Sequence, residues 1–322
     1  MRLFSRAMTA ALVALPLALV VSTPAQAADP TTLTSGFYVD PNSSPALWAA
    51  ANPGDGRAPA IRDSVAAKPM ARWFGNWSGT IGTATGAYVG AADAADKLPV
   101  LVAYNIPNRD ICGGQSGGGA GSVAAYNTWI AAFADGIGSR PAVVILEPDA
   151  LGDTSCMTAA QIAERNSLLN NAITQFNQKA PNTWVYLDAG NPGWRSATSM
   201  AASLNAAGLS RTRGFSLNVS NHYTTAENIT YANAVNAALS SSNGYSKPFV
   251  VDTSRNGNGS TNGEWCNSAG RRIGTPTQKG GGAEMLLWIK TPGESDGNCG
   301  VGAGSVAGQF LPEVAYKMIY GY

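Results

Sequence analysis

The sequence predicts a single α/β domain in which the strands of a parallel sheet alternate with helices. Seven short apolar segments are continuous rather than alternating, which is typical of strands buried on both faces. Segments with helical periodicity lie between them, and no Ser/Thr/Pro-rich linker, charge block or internal repeat divides residues 28–322. A closed barrel and a doubly wound sheet both fit these observations.

The predicted strands are short β-rich runs that end at polar residues. They cover residues 70–74, 99–105, 142–147, 183–188, 214–219, 248–252 and 285–289. Helices are predicted between them, among others at residues 120–137, 158–179 and 226–239. Thr158 and Gln161 have the spacing of a capping box, which indicates where the second of these helices begins.

The N-terminal residues have the pattern of a secretory signal peptide. Arg2 and Arg6 precede an apolar run at residues 10–21 that is too short to span a bilayer, and an Ala-x-Ala site ends at Ala27. We therefore expect residues 1–27 to be cleaved and residues 28–322 to form an exported, soluble monomer without a membrane segment.

Composition argues against two classes of partner. Charged residues make up 13% of the chain and the formal net charge is +1, so the basic stripe of a nucleic-acid binder is not visible. His222 is the only histidine, so the usual histidine-based zinc and copper sites cannot be assembled. We expect an uncharged partner, no metal and no cofactor.

Acidic residues follow most of the predicted strands. They are Asp110, Glu147, Asp149, Asp188, Asp252 and Asp296. Because function collects at the carboxyl ends of the strands in both candidate architectures, these side chains should meet in one cleft. Paired carboxylates without a metal are typical of glycoside hydrolysis, in which one acid protonates the leaving oxygen and another group activates water or attacks the sugar.

Tryptophans support a sugar ligand, because flat apolar rings stack on the C–H faces of pyranoses. Trp73, Trp194 and Trp265 lie near Gly, Asn and Ser residues and should be exposed, whereas Trp184 and Trp288 lie inside predicted strands and should pack in the core. A glucan-binding protein without activity would use the same rings, but it would have no need of paired acids.

A serine hydrolase is the alternative from another class of enzyme. Residues 114–118 match the Gly-x-Ser-x-Gly nucleophile elbow, and the order Ser116, an acid, His222 is permitted. An elbow needs a strand directly before it, however, and the nearest predicted strand ends at residue 105. A flexible glycine loop over the cleft is the better interpretation.

Four cysteines in an exported protein indicate two disulfides, with three possible connectivities. Each cysteine lies close in sequence to one of the acids or to Trp265. If the acids share one cleft, Cys112–Cys156 and Cys266–Cys299 are the natural pairs, and each would join two loops of that cleft.

Five motifs occur in order along the chain. They are Tyr104-Asn-Ile-Pro-Asn-Arg109-Asp110, Val144-Ile-Leu-Glu147-Pro-Asp149-Ala-Leu, Tyr186-Leu-Asp188-Ala-Gly190, Trp265-Cys266-Asn267 and Trp288-Ile-Lys290-Thr-Pro-Gly-Glu294-Ser-Asp296-Gly. They resemble the motifs of glycoside hydrolase family 6 cellulases, and residues 37–41 and 48–52 fit that family too. The resemblance implies a distorted, TIM-like (β/α) barrel of seven parallel strands and hydrolysis of β-1,4-glucan, meaning cellulose and cello-oligosaccharides, with inversion at the anomeric carbon.

The resemblance also implies roles for the motif residues. Asp149 would be the general acid, Asp110 would raise its pKa and help to place water, and Tyr104 would press on the distorted sugar. Asp296 would be the candidate base, or a water chain would relay the proton. Six residues would hold the glucose units. Those on the non-reducing side would be bound by Trp73, Trp265, Lys290 and Glu294. Those beyond the scissile bond would be bound by Trp194 and Asp188.

Three expectations concern the surroundings of these residues. Glu147 would be the scaffolding member of its pair, held by Arg109 or another basic group. Ile111 is inserted between Asp110 and Cys112, which puts the register of the glycine loop in question. Asn191-Pro192 stands where His-Ser or a similar pair is expected, which puts a histidine contact to the sugar in question but not the chemistry.

We expect the enzyme to cleave glucan chains at internal bonds rather than from their ends. Two residues separate Asp296 from Cys299, and only residues 300–305 are then expected before a final helix that carries Phe310 and Tyr316. A chain covers at most about 3.3–3.6 Å per residue, so this segment cannot roof the cleft. The other candidate roof, residues 113–121, is mostly glycine and should be mobile. An endo-1,4-β-glucanase is therefore predicted, with a cellobiohydrolase of the same family as the alternative.

Overall fold

The computed structural model describes residues 28–114 and 116–322, so the predicted signal peptide at residues 1–27 lies outside the described residues. The strands are β1 (Arg72–Phe74), β2 (Val100–Ala103), β3 (Ala142–Leu146), β4 (Thr183–Asp188), β5 (Gly214–Leu217), β6 (Phe249–Asp252), β7 (Gln278–Lys279) and β8 (Met285–Leu287). The helices are α1 (Ser44–Ala51), α2 (Ala58–Ile61), α3 (Ile81–Ala94), α4 (Val123–Ile137), α5 (Ala159–Lys179), α6 (Ala197–Ala206), α7 (Thr225–Asn243) and α8 (Pro312–Tyr320). All seven predicted strands are present, most of them a residue or more shorter than predicted.

The strands form one sheet in the order β1-β2-β3-β4-β5-β6-β8-β7. Every neighbouring pair is parallel except β7 and β8, which are antiparallel. The prediction of seven strands is correct for the parallel strands, but it omits the antiparallel strand β7. Its two residues, Gln278 and Lys279, are polar and exposed, so they lack the apolar signal on which the prediction depended.

The sheet curls into a barrel whose seam lies between β1 and β8. No strand ladder joins these two strands within the described ranges, because β7 occupies the free edge of β8. Across the seam, the Ala71 N–H donates to the Trp288 carbonyl at 2.9 Å, and the indole Nε1 of Trp73 donates to the Ile289 carbonyl at 2.8 Å. The distorted TIM-like barrel implied by the resemblance is confirmed, with the distortion at this seam.

Both faces of the parallel strands are buried. Successive strand residues point to opposite faces, so Val102, Ile145 and Tyr186 pack inside the barrel, whereas Leu101 and Val144 pack against the helices. This double burial explains why the strands read as continuous apolar runs. The predicted burial of two tryptophans in the core is also confirmed, for Trp184 and Trp288.

Helix starts follow local signals in the sequence. Thr158 and Gln161 form the predicted capping box at α5, and Thr224 and Glu227 form a second one at α7. Each box satisfies two backbone N–H groups that the helix itself leaves free. Among the described residues, no helix is both long enough and apolar enough to cross a bilayer.

The Thr158→Ala substitution tests the α5 capping box. It removes the side-chain oxygen that accepts from the Gln161 N–H, so the free energy of unfolding should fall by about 0.5–2 kcal/mol. Urea denaturation measures this, with Thr230→Ala as control, because Thr230 lies on an exposed part of α7 away from any cap. Equal stability of the two variants would contradict the assignment.

Candidate active site

A cavity of about 940 Å³ lies over the carboxyl ends of the strands. Loops that follow parallel strands emerge on the same side of a barrel, so their side chains converge there. Nine of the ten residues predicted to act in catalysis or sugar binding line this cavity, namely Trp73, Tyr104, Asp110, Asp149, Trp194, Trp265, Lys290, Glu294 and Asp296. The tenth, Asp188, lies beneath it.

Tyr104 joins two of the acids. Its hydroxyl donates to Oδ2 of Asp110 at 2.7 Å and lies 3.5 Å from Oδ2 of Asp149. Tyr104 is itself fixed by burial, by the ring of Trp73 at 5.1 Å between centroids, and by the Arg109 guanidinium 4.4 Å from its ring centroid. The sequence motifs around residues 104–110 and 144–151 are therefore parts of one site.

The environment favours the protonated form of Asp149. Burial raises its pKa well above the ordinary value, and the negative charges of Asp110, Asp188 and Asp153 raise it further. Burial also raises the pKa of Asp110, but the Tyr104 hydroxyl and Arg109 oppose that rise. The pair is thus arranged so that Asp149 is the member that keeps a proton.

The backbone at these acids is strained. Asp110, Glu147 and Asp149 have φ values of 55°, 50° and 70°, a region that residues with side chains rarely adopt. Such strain costs on the order of 1–3 kcal/mol per residue and tends to cluster at functional sites. Here it turns the Glu147–Asp149 segment so that the first carboxylate points inward and the second reaches the cleft.

Glu147 is a scaffolding residue, as predicted, but its predicted basic partner is wrong. Its carboxylate accepts hydrogen bonds from the N–H groups of Asn105 and Ile106, each with a closest distance of 2.9 Å. None of the ion pairs in residues 28–114 and 116–322 involves Glu147. Arg109 instead donates to the carbonyls of Ser116 and Tyr104, which sequence alone could not show.

Asp188 occupies a different place from the predicted one. It is buried, and its carboxylate accepts from the Asp149 N–H at 3.0 Å, the Gly190 N–H at 3.1 Å and the Ser216 hydroxyl at 3.2 Å. A direct contact with the sugar is not supported by this position. Asp188 holds the backbone of Asp149 instead, because it lies at the very end of β4, beside β3.

Asp296 is a buried, ion-paired carboxylate. Nη1 of Arg255 lies 3.0 and 2.9 Å from its two oxygens, Nζ of Lys290 lies 3.7 Å away, and the Asn267 N–H donates to it at 2.9 Å. Burial acts to raise the pKa of Asp296, but the charges of Arg255 and Lys290 outweigh burial and lower it. Asp296 is therefore ionised, with most of its hydrogen-bonding capacity already used.

The aromatic rings line the cleft as predicted. Trp265 is 39% exposed and Trp194 is 40% exposed, while Trp73 is half-buried. Glycines allow Trp194 this position, since a Cβ at Gly152 would lie 2.7 Å from its ring. Lys290 lies 5.7 Å from the Trp73 ring centroid, so cation and ring form one surface for a sugar.

Two disulfides fasten the loops around the cleft, and they pair as predicted. Cys112 bonds Cys156 and Cys266 bonds Cys299, with Cα separations of 5.4 and 5.9 Å. The inserted Ile111 is 42% exposed, so the extra residue faces outward and leaves Asp110 hydrogen-bonded to Tyr104.

The serine-hydrolase alternative is not supported. Ser116 lies in the long loop between β2 and α4, with no strand directly before it. His222 is fully buried, and its ring nitrogens lie 3.3 and 3.2 Å from the carbonyl oxygens of Arg255 and Trp265. The imidazole is engaged with backbone and orders the loop that carries Trp265.

Among the parts of the lining that sequence reasoning missed is the segment that precedes and enters α1. Asp40, Asn42, Ser43 and Ser44 line the cavity, and the Ser44 hydroxyl donates to Glu294 at 2.7 Å. No strand precedes this segment in the sequence, so the rule that sites follow strands could not find it. The polar run Asp-Pro-Asn-Ser-Ser at residues 40–44 was the available signal.

An α/β barrel whose mouth holds exposed tryptophans and two neighbouring carboxyl groups, one of them with a raised pKa, is typical of glycoside hydrolases. The chain belongs to the glycosyl hydrolases family 6, whose family model matches residues 33–319.

Individual relatives support the assignment of the chain to this family. Endoglucanase 1 of Streptomyces halstedii is 72% identical over 317 residues, which cover 98% of this chain and 98% of that protein. Endoglucanase A of Thermobispora bispora is 44% identical over 97% of this chain and 67% of its own length. The solved endoglucanase Cel6 from Mycobacterium tuberculosis, in complex with methyl-cellobiosyl-4-deoxy-4-thio-β-D-cellobioside, superposes with a TM-score of 0.82 at 41% identity, covering 91% of this chain and 99% of that one.

The buried carboxyl of Asp188 should make stability depend on pH. Burial raises its pKa from 3.8 to about 6, so the folded state keeps a proton that the unfolded state has lost. This contribution is complete below pH 3.8 and is lost as the pH rises through 6, by about 3 kcal/mol at most.

Relative to wild type, the Asp188→Asn variant should therefore gain stability as the pH rises from about 4 to about 7. Chemical denaturation across this range measures the difference, with Asp63→Asn as control, because Asp63 is exposed and its pKa is lowered. If the Asp188→Asn and wild-type curves run parallel, the assignment is wrong.

Proposed function

We propose that the protein is an endo-1,4-β-glucanase that hydrolyses internal bonds of cellulose and cello-oligosaccharides with inversion at the anomeric carbon. The observation that carries the proposal is the pair of Asp149 and Asp110, joined through Tyr104 in a cleft lined by tryptophans. The high identity to an endoglucanase over the whole chain supports the activity, and the thio-oligosaccharide bound by the solved relative supports the substrate class.

Asp149 serves as the general acid. Because its pKa is high, it holds a proton at a pH where an exposed aspartate has lost it. It transfers this proton to the glycosidic oxygen while the bond from that oxygen to the anomeric carbon breaks. Asp110, whose carboxylate accepts from the Tyr104 hydroxyl, is the neighbouring charge that retains the proton on Asp149 until then.

Inversion requires water to be activated on the face of the sugar opposite the acid. Asp296 is ionised, as a base must be, but Arg255 lowers its pKa and contacts both of its oxygens. We therefore infer that Asp296 does not contact the attacking water directly. Instead, it accepts the proton of that water through one or more intervening water molecules.

The remaining residues of the site bind the glucan or position the general acid. Trp73, Trp265, Lys290 and Glu294 hold glucose units on the non-reducing side, and Trp194 holds the unit beyond the scissile bond. Asp188 is a positioning residue, since it accepts from the Asp149 N–H and fixes the general acid from below.

The final helix, α8, begins at Pro312, so the expectation that it follows residue 305 and carries Phe310 is wrong, and the loop after Asp296 is longer than expected. Cleavage within glucan chains is inferred instead from how this loop folds. Its two ends are held together, because the Gly308 N–H donates to the Ser295 carbonyl and the Ser295 N–H donates to the Gln309 carbonyl. Its middle is tied to Cys266 by the disulfide and to the Asn267 carbonyl by the Val301 N–H. A loop packed down in this way leaves the cleft open to the interior of a glucan, unlike the roof that a cellobiohydrolase would need.

Export from the cell is part of the proposal. Disulfides persist in oxidising compartments and are rare in the cytosol, and both bridges of this protein fasten cleft loops. The signal-like pattern of residues 1–27 points the same way.

The Asp149→Asn variant tests the general acid. It keeps the shape of the side chain but removes the transferable proton, so cellulose hydrolysis should fall by roughly 10²–10⁴-fold while cello-oligosaccharide binding survives. Release of reducing sugar and titration calorimetry measure the two effects, with Asp93→Asn on the exposed face of α3 as control. Near-normal turnover by Asp149→Asn would refute the assignment.

The mode of attack is tested with carboxymethyl cellulose. An open cleft admits chain interiors, so viscosity should collapse while few reducing ends have appeared. Viscometry and a reducing-end assay on the same reaction measure this. Steady release of cellobiose at nearly constant viscosity would favour the cellobiohydrolase alternative instead.

A further inference from the structure

A third carboxylate lies in the cleft beside the two acids. Asp153 is half-buried and lines the cavity together with Asp110 and Asp149. The turn after Asp149 brings the chain back toward the general acid, because the Asp153 N–H donates to the Asp149 carbonyl at 2.8 Å. Asp153 therefore lies one tight turn away from the residue that carries the proton.

The side chain of Asp153 is held toward the segment that carries Asp110. Its Oδ2 accepts from the Cys112 N–H at 3.1 Å, and Cys112 lies two residues after Asp110. The Cys112–Cys156 disulfide joins the same two segments, three residues beyond Asp153. A hydrogen bond and a covalent bridge therefore fix this carboxylate between the loops of the two acids.

The charge of Asp153 is not neutralised by an ion pair. None of the ion pairs within residues 28–114 and 116–322 involves its carboxylate. Arg165 of α5 lies beside it, but this guanidinium donates to the backbone carbonyls of Asn108, Ala150 and Asp153 rather than to the carboxylate. Arg109 likewise donates to backbone carbonyls.

This charge acts on the general acid together with others. Burial raises the pKa of Asp149, the charges of Asp110, Asp188 and Asp153 raise it further, and the Tyr104 hydroxyl opposes the rise. Asp188 is buried and its pKa is raised to about 6, so it loses its charge as the pH falls through that value. Asp153 differs from Asp188 because it lies in the cavity wall and is only half-buried.

We propose that Asp153 is a positioning residue of the acid site, whose carboxylate is held by the Cys112 N–H so that its charge keeps the proton on Asp149. This inference rests on the proposed function, which makes Asp149 the general acid. Asp110 is bonded to Tyr104 and so belongs to the reacting centre itself. Asp153 acts on that centre through its charge alone, from the loop that the disulfide fastens.

The Asp153→Asn substitution tests this role. The oxygen of the amide can still accept from the Cys112 N–H, so the side chain stays in place while its charge is removed. Asp149 should then lose its proton at a lower pH. The basic limb of kcat/KM for cellotetraose should move to lower pH by roughly 0.5–1 unit, so that above the limb the rate falls roughly three- to ten-fold below wild type. Asp153→Glu keeps the charge and should keep the limb near its wild-type position.

A matched variant and a second substrate separate this effect from others. Asp135→Asn removes the same charge from an exposed residue of α4 that pairs with Lys179, away from the cavity lining, and should leave the limb in place. Dinitrophenyl β-cellobioside releases a leaving group that needs little protonation. On this substrate the normalised pH profiles of wild type and Asp153→Asn should therefore coincide.

Three outcomes would overturn the inference. A raised KM with an unmoved basic limb in Asp153→Asn would mean that this side chain binds the sugar instead. An equal displacement of the limb in Asp153→Glu would mean that its shape matters rather than its charge. Near-normal cleavage of cellotetraose by Asp149→Asn would overturn the proposed function and this inference together, whereas an inactive Asp149→Asn beside an unmoved limb in Asp153→Asn would overturn this inference alone.

Discussion

The arrangement of the site depends on the buried carboxylate of Glu147. It accepts the N–H groups of Asn105 and Ile106, and so joins the segment after β2 to the segment after β3. Asp110 lies on the first segment and Asp149 two residues beyond Glu147 on the second, so one side chain sets the separation of the two acids. Burial raises the pKa of Glu147 to about 7, although the Ile106 and Asn105 N–H groups oppose the rise, so ionisation of this carboxyl is an energetic cost of the arrangement. The positive φ angles of Glu147, Asp149 and Asp110 are a second cost of the same arrangement.

Much of this structure could be predicted from the sequence, for identifiable reasons. Parallel strands buried on both faces leave continuous apolar runs, so all seven were found, whereas the exposed residues Gln278 and Lys279 of β7 left no signal. Acids that follow strands must share one end of a barrel, and nine of the ten proposed site residues do line one cavity there. Partners could not be predicted in the same way. Glu147 pairs with backbone amides and Asp188 supports Asp149 from below, and both contacts depend on distances between loops that no spacing in the sequence records.

The site is rich in groups that oppose folding, and other features offset them. Asp149, Asp188 and Glu147 are buried carboxyls whose pKa values are raised, and each would be better solvated in the unfolded chain. Asp296 differs because Arg255 neutralises it, yet a buried ion pair adds little net stability after desolvation. The two disulfides close loops of 44 and 33 residues around the same cleft, and bridges of this kind contribute about 2–4 kcal/mol each. The stabilisation is thus supplied by the same loops that carry the strained and buried acids.

The interrupted barrel connects fold and function most directly. A fully paired barrel has no free strand edge, whereas the sheet of this protein is interrupted between β1 and β8. Here β7 takes the edge of β8, which leaves β1 joined to the far side by the Ala71 to Trp288 hydrogen bond and by the indole of Trp73. On this side the cavity is lined by Arg72 and Trp73 of β1 and by Asp40. The loop after Asp296 is folded down beside this mouth and held by the Cys266–Cys299 disulfide, which supports the proposal that a polymer can lie across the cleft and be cut at an internal bond.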